Sequence, residues 1–95
     1  MQKRSTPLHI ATAEHRSSFV ALLLSRGADI DRQDGAGHTA LHMAAALGFL
    51  DLVQLLVHNG ANMSLRNNQG MTALDFAVRY DKQEIAAFFN ANNPT

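Results

Sequence analysis

Histidines and carboxylates are the side chains here best suited to chemistry near neutral pH, with five His and eight Asp or Glu in 95 residues. His38 and His42 stand four apart, a spacing at which two imidazoles on one helix face can share a zinc ion. No glutamate follows His38, so the metalloprotease pattern is missing, and there is no cysteine to complete a ligand set. Thr39, between them, has N-cap character, which would leave His38 outside the helix. Asp29 and Asp31 could serve acid–base work or hold a hard cation, but they sit in a connector and read better as turn residues. The remaining acids are scattered, and Asp51 and Glu84 suit the first turns of helices. Gly35-Ala36-Gly37 precedes a helical pattern, yet lacks the strand and third glycine of a dinucleotide turn. No serine stands in a nucleophile elbow. These residue types give no catalytic, metal-binding or cofactor constellation, and none is expected.

The totals narrow the classes further. Formal net charge is +0 and the basic residues are dispersed, which argues against a nucleic-acid binder driven by a basic field. Tyr80 is the single tyrosine, so no stacking platform for single strands is visible. The longest strictly apolar run, Phe19 to Leu24, is far shorter than the ~20 residues of a membrane span. Met1 to Ser5 leads into no long apolar segment, so no secretory signal is read there. An apolar share of 46% with 17% charged residues is ordinary for one globular domain spanning 1–95. The absence of cysteine suits a reducing compartment, and an intracellular location, cytoplasmic or nuclear, is expected.

The elements that must position these residues show in an internal repeat. Thr39-Ala40-Leu41-His42-Met43-Ala44-Ala45 has an earlier copy in Thr6-Pro7-Leu8-His9-Ile10-Ala11-Thr12 and a later one in Thr72-Ala73-Leu74-Asp75-Phe76-Ala77-Val78, at an offset of 33 residues both times. The same offset aligns Phe19, Leu52 and Ile85, then Leu22, Leu55 and Phe88, and sets Gly27-Ala28-Asp29 over Gly60-Ala61-Asn62. Each unit reads as a helix pair. Thr6 is an N-cap and Pro7 a first helical residue. The first helix runs to about His15, with Leu8, Ala11 and Thr12 as its packed stripe, and the second from Ser17 to Arg26, closed by Gly27 as a left-handed cap. Phe19, Val20, Leu22, Leu23 and Leu24 make that second helix apolar over much of its circumference, so it is expected to be covered on more than one side. Thr39 to Gly48 and Leu50 to Asn59 repeat the pair, ending at Gly60, and their buried face is Leu41, Ala44, Ala45, Leu52, Val53, Leu55 and Leu56. Ala73 to about Asp81 and Gln83 to about Ala91 form the third, with Thr72 and Asp75 close to a capping box.

This pattern resembles the ankyrin repeat family, whose signature is T-P-L-H-x-A at this period. The resemblance covers nearly the whole chain, as repeats of approximately 1–33, 34–66 and 67–95. It implies an all-α solenoid of stacked helix-turn-helix units joined by β-hairpin-like fingers. Gln83 and Asn90 stand where the family usually carries leucine, so the third repeat resembles a C-terminal cap with a polar outer face. The front end has no matching cap. Ser17 and Ser18 are polar but Ala21 and Leu24 are not, and Arg4 replaces the glycine of positions 37 and 70. Further repeats upstream are the expectation there, with frayed ends at Met1–Ser5 and Asn92–Thr95.

The resemblance also implies roles. Thr6, His9, Thr39, His42, Thr72 and Asp75 would be structural, the histidines bonding the threonine hydroxyl and connector backbone. Gly27 and Gly60 would stop helices. His15 replaces a family glycine, and His58 would be a solvated outer residue. Function would be non-catalytic binding of another protein, by a chain monomeric on its own, through finger tips and the exposed side of the first helices. By register those positions are Ala13 and Glu14, then Gln33, Gly35, Ala36, His38, Ala46 and Leu47, then Arg66, Asn68, Gln69, Met71, Arg79 and Tyr80. Leu47, Met71 and Tyr80, flanked by Arg66 and Arg79, have the composition of an interface. The rival reading is a structural end segment of a longer array whose binding site lies upstream.

Overall fold

The computed structural model describes residues 5–92. Of the ends expected to be frayed, Met1–Ser5 and Asn92–Thr95, residues 1–4 and 93–95 lie outside that range. Six helices follow in pairs: α1 (Pro7–Ala13) with α2 (Ser17–Ser25), α3 (Ala40–Leu47) with α4 (Leu50–His58), and α5 (Ala73–Arg79) with α6 (Gln83–Ala91). No strand occurs among the described residues, and the fold is all-α.

Each first helix starts the same way. Thr6, Thr39 and Thr72 take extended backbone, and their hydroxyls accept the backbone N–H of His9, His42 and Asp75 at 3.2–3.3 Å. The side chain of that third residue reaches back. His9 Nδ1, His42 Nδ1 and Asp75 Oδ2 accept the N–H of Thr6, Thr39 and Thr72 at 3.2, 3.1 and 2.9 Å. All three are reciprocal capping boxes, although the sequence argument foresaw one only at Asp75, since imidazole is not the usual partner.

The first helices end early. α1 stops at Ala13 rather than near His15, and α5 at Arg79 rather than near Asp81. The cause is backbone hand. His15 and Asp81 sit at φ +58° and +57°, matching Gly48 at +82°, and a left-handed residue cannot continue a right-handed helix. α2 and α4 close on glycine, whereas the C-cap of α6 is Asn92. The N–H of Ala28 reaches Leu23 O at 3.1 Å and that of Ala61 reaches Leu56 O at 3.0 Å, over Gly27 and Gly60 in the left-handed region.

The first helices line up as α1, α3, α5 and the second as α2, α4, α6, each packed chiefly on its own partner and its neighbours. Alanines at 11, 40, 44, 45, 73 and 77 are buried between the first helices, where small side chains allow close approach. Leu52, Val53, Leu56, Ile85 and Phe89 fill the space beneath the second helices. One expectation holds in part and one is corrected. α2 is covered by α1 and by α4, but not around the rest of its apolar circumference: of its apolar residues only Val20 is fully buried, while Phe19 and Leu22 are exposed, no helix among the described residues covering them. Leu55 is half-buried at the edge of the core. At the other end Gln83 and Asn90 are exposed, and so is Val78.

The fingers are hairpin-like without strands. Asp34 N–H donates to His38 O and Asn67 N–H to Met71 O, both at 2.9 Å. Inside each, one buried side-chain oxygen accepts two backbone donors: Asp34 Oδ1 takes Ala36 and His38, and Asn67 Oδ1 takes Gln69 and Met71. This is the Asx-turn chemistry legible from the residue types. Adjacent fingers are tied as well. Asn68 N–H donates to Ala36 O and its amide to Gly35 O, while Gln33 Nε2 bridges Gly37 O and Arg66 O.

Candidate protein-interaction surface

The residues singled out from sequence fall into three environments. Leu47, the last residue of α3, is 47% exposed, and Tyr80, the C-cap of α5, is 50% exposed. Large apolar side chains held this far open have a desolvation gain still to collect. Ala36, Arg66, Gln69 and Arg79 are also exposed, with Ala13 and Glu14 on α1 and its cap. Gln33, His38, Ala46 and Met71 are half-buried.

Several of these side chains are held in place by others. The Tyr80 ring lies 5.9 Å from that of Phe76, which stands edge-on to His38 at 5.5 Å and to His42 at 5.5 Å. A row of rings thus runs from the end of α5 to the base of the finger. Arg79 Nη1 reaches Met71 Sδ at 3.8 Å, and Arg66 Nη1 donates to Gly70 O at 2.7 Å. Both cations are therefore oriented by groups of their own repeat. Glu14 instead makes a 3.6 Å ion pair with Arg16.

The histidines of the repeat have internal work. His9 Nε2 lies 2.8 Å from His38 O, and His42 Nε2 lies 2.8 Å from Met71 O. Since Nδ1 accepts a backbone N–H in both rings, the proton sits on Nε2 and is donated to the carbonyl of the next finger. His42 has no free nitrogen left for a metal, whatever its spacing from His38. Burial lowers the pKa of His42 below the ordinary imidazole value, and the bond to Met71 opposes that shift.

Sequence reasoning missed one cluster. Asp51, read as a helix-dipole residue, accepts from His15 Nε2 at 2.9 and 3.0 Å and from Ser17 Oγ at 3.0 Å, and His15 stacks on Phe49 at 3.9 Å. A hydrolytic triad needs histidine between serine and acid. Here the acid is in the middle, so the trio ties repeat one to repeat two and activates nothing. Burial works against the charge of Asp51, but the bonds from His15 and Ser17 outweigh it and lower its pKa. No motif linked His15 to Asp51; only the 36-residue separation across the repeat turns brings them together.

Among the described residues no helix is long and apolar enough to cross a membrane. A comparison with curated proteins gave no match. The family model described as ankyrin repeats, three copies, matches residues 8–93, a span that takes in all of α1 but its first residue, then α2 to α6 and the tied fingers. Ankyrin repeats are generally protein–protein interaction modules and typically non-catalytic, and this chain belongs to the ankyrin repeat family.

Proposed function

We propose that this chain binds a partner protein through the face formed by its fingers and first helices, and catalyses nothing. The observation that carries the reading is the pair Leu47 and Tyr80. Both are large, apolar and about half exposed, and they occupy the same register on α3 and α5, which pack together. Side chains of this kind act as anchors when buried by a partner. Around them Met71 supplies an adaptable edge, Ala46 a flat floor, and Arg66 and Arg79 a cationic rim. His38, Gln33, Ala36 and Gln69 extend the face along the fingers.

Rigidity is the mechanism. Capping boxes, Asx turns and bonds between fingers fix the backbone beforehand, so little ordering entropy is lost on association. The cations favour an acidic or mixed partner segment through faster encounter and rejection of basic rivals.

The test is affinity capture from extracts of the source cells, followed by measured affinities for the captured protein. Tyr80→Ala and Leu47→Ala should each weaken binding about tenfold or more with unchanged helical circular dichroism. His58→Ala and Asn59→Ala, on the outer helix, should leave binding alone. The opposite pattern would move the site to another face and sink this reading.

A further inference from the structure

Reading the three repeats position by position separates the two ends of the stack. Some positions are covered in repeats two and three but open in repeat one. Ile10, Phe19 and Leu22 are 51%, 41% and 45% exposed, whereas Phe76, Leu52 and Ile85 at equivalent positions are buried and Met43, Leu55 and Phe88 are at least half-buried. These side chains face away from repeat two. Other positions are covered in repeats one and two but open in repeat three: Thr12 and Ala45 are buried while Val78 is exposed, and Ser17, Leu50, Leu24 and Val57 are half-buried while Gln83 and Asn90 are exposed. The open residues at the far end are one valine, two amides and the carboxylate Asp75. Those at the near end are Ile10, Phe19, Leu22 and Pro7, with one cation, Arg16.

Hydrogen bonding is just as uneven. His9 and His42 donate to the backbone carbonyls of His38 and Met71. The third-repeat equivalent is Asp75, whose ionised carboxylate has no proton to donate to a further finger. Counting the same 33 residues back from His38 reaches Ser5, whose carbonyl occupies the acceptor position of this ladder. The far end is closed to continuation by charge and polarity, whereas the near end is mainly apolar, with Arg16 lying over Phe19.

We infer that the open face of repeat one seats one more helix pair of the same kind, joined in cis ahead of Thr6, with an imidazole donating to the Ser5 carbonyl. The chain twice displays what covers these positions: a preceding pair presenting small or aliphatic groups, Thr12, Ser17 and Leu24 in one case and Ala45, Leu50 and Val57 in the other. A second copy docking by its far end fits poorly, because it would set Gln83 and Asn90 against Phe19 and Leu22 and the Asp75 carboxylate against a carbonyl. A two-fold pairing of near ends would bring the Arg16 guanidinium, 5.7 Å from the Phe19 ring, towards its own copy and leave Ser5 without a donor. This inference concerns a different face from the partner-binding one, and its variants leave Leu47 and Tyr80 untouched.

The experiment places a copy of the chain's own residues 34–70 directly before Ser5. Amide hydrogen exchange and urea unfolding are followed in the natural and extended chains, each with and without Phe19→Asp. Protection of α1 and α2 amides should rise about tenfold or more, with a single steeper unfolding transition. Phe19→Asp should change little in the natural chain, where the ring is open, and should abolish the gain in the extended one. Unchanged protection in α1 and α2, or an added pair that unfolds separately or stays unprotected, would overturn the proposal. So would sedimentation of the natural chain as a dimer that Phe19→Asp dissociates, since the occupant would then be a second copy.

Discussion

The imidazole Nε2 of His42 lies 2.8 Å from the carbonyl oxygen of Met71, so a side chain of repeat two is bonded to the backbone of repeat three. The other ring nitrogen accepts the N–H of Thr39, and protonating it would set two donors face to face. Burial already lowers the pKa of His42 from 6.5. Between the folded and unfolded values the unfolded chain therefore binds more protons. The contribution of His42 to stability is complete above about pH 6.5 and is lost as pH falls through that value towards the folded pKa. The urea midpoint should drop between pH 7.5 and pH 5, and His42→Gln should flatten that slope. An equal slope in the variant would assign the pH dependence to another group.

Gly37 and Gly60 share a left-handed backbone but not a setting. A Cβ on Gly60 would meet nothing within 4 Å, whereas one on Gly37 would lie 2.6 Å from the backbone nitrogen of Asn68. Gly60→Ala should cost roughly 1 kcal/mol, from the conformation alone. Gly37→Ala must also push apart two tied fingers, and its denaturation midpoint should fall clearly below that of Gly60→Ala. Equal midpoints would mean that the finger contact contributes nothing.

The hydroxyl of Thr12 is buried and has no hydrogen-bond partner, and the equivalent residue of repeat three is the similarly shaped Val78. An unpaired buried polar group costs about 1–3 kcal/mol. Thr12→Val should raise stability by about 1 kcal/mol, seen as a higher melting temperature with the same circular dichroism. A lower melting temperature would show that the hydroxyl is satisfied in solution.

Leu56 is fully buried in the repeat flanked on both sides. Leu56→Ala removes its burial and leaves a cavity, at a cost of about 2–5 kcal/mol. For a domain with about 5–15 kcal/mol in total, the urea midpoint should fall severely or the fold be lost. The equivalent Leu23→Ala, at a half-buried site beside an open face, should cost less.

The repeat period, the threonine caps, the glycine stops and the packed stripe were legible because each depends on residue type at fixed local spacing. Thr6 with Pro7, and Gly27 with Ala28, state their geometry within a few residues. The exposure of Phe19 and Leu22 was not legible, because an apolar residue records its own preference and not whether a neighbour is there to satisfy it. The His15–Asp51–Ser17 tie was hidden for a related reason: its partners approach only through the stacking of two repeats. At His9 and His42 the resemblance already implied bonds to the threonine hydroxyl and the connector backbone, and both are present; it did not name the reciprocal cap, because the signature expects an acid or amide where imidazole does the same work. For the interaction surface the sequence supplied register, and register became Leu47 and Tyr80, two exposed side chains on adjoining helices.

The principal contacts between repeats join only neighbours, α1 to α3 to α5 and α2 to α4 to α6, and the histidine bonds span 29 residues. This sets the order of folding events. The principal helix contacts need no loop much longer than one repeat to close, which favours rapid collapse. Among the described residues repeat two has a neighbour on each side, which makes it the natural nucleus onto which the flanking repeats condense. Unfolding runs the other way, and a protease should find its first cuts in the outermost helix pairs while the middle pair is still intact.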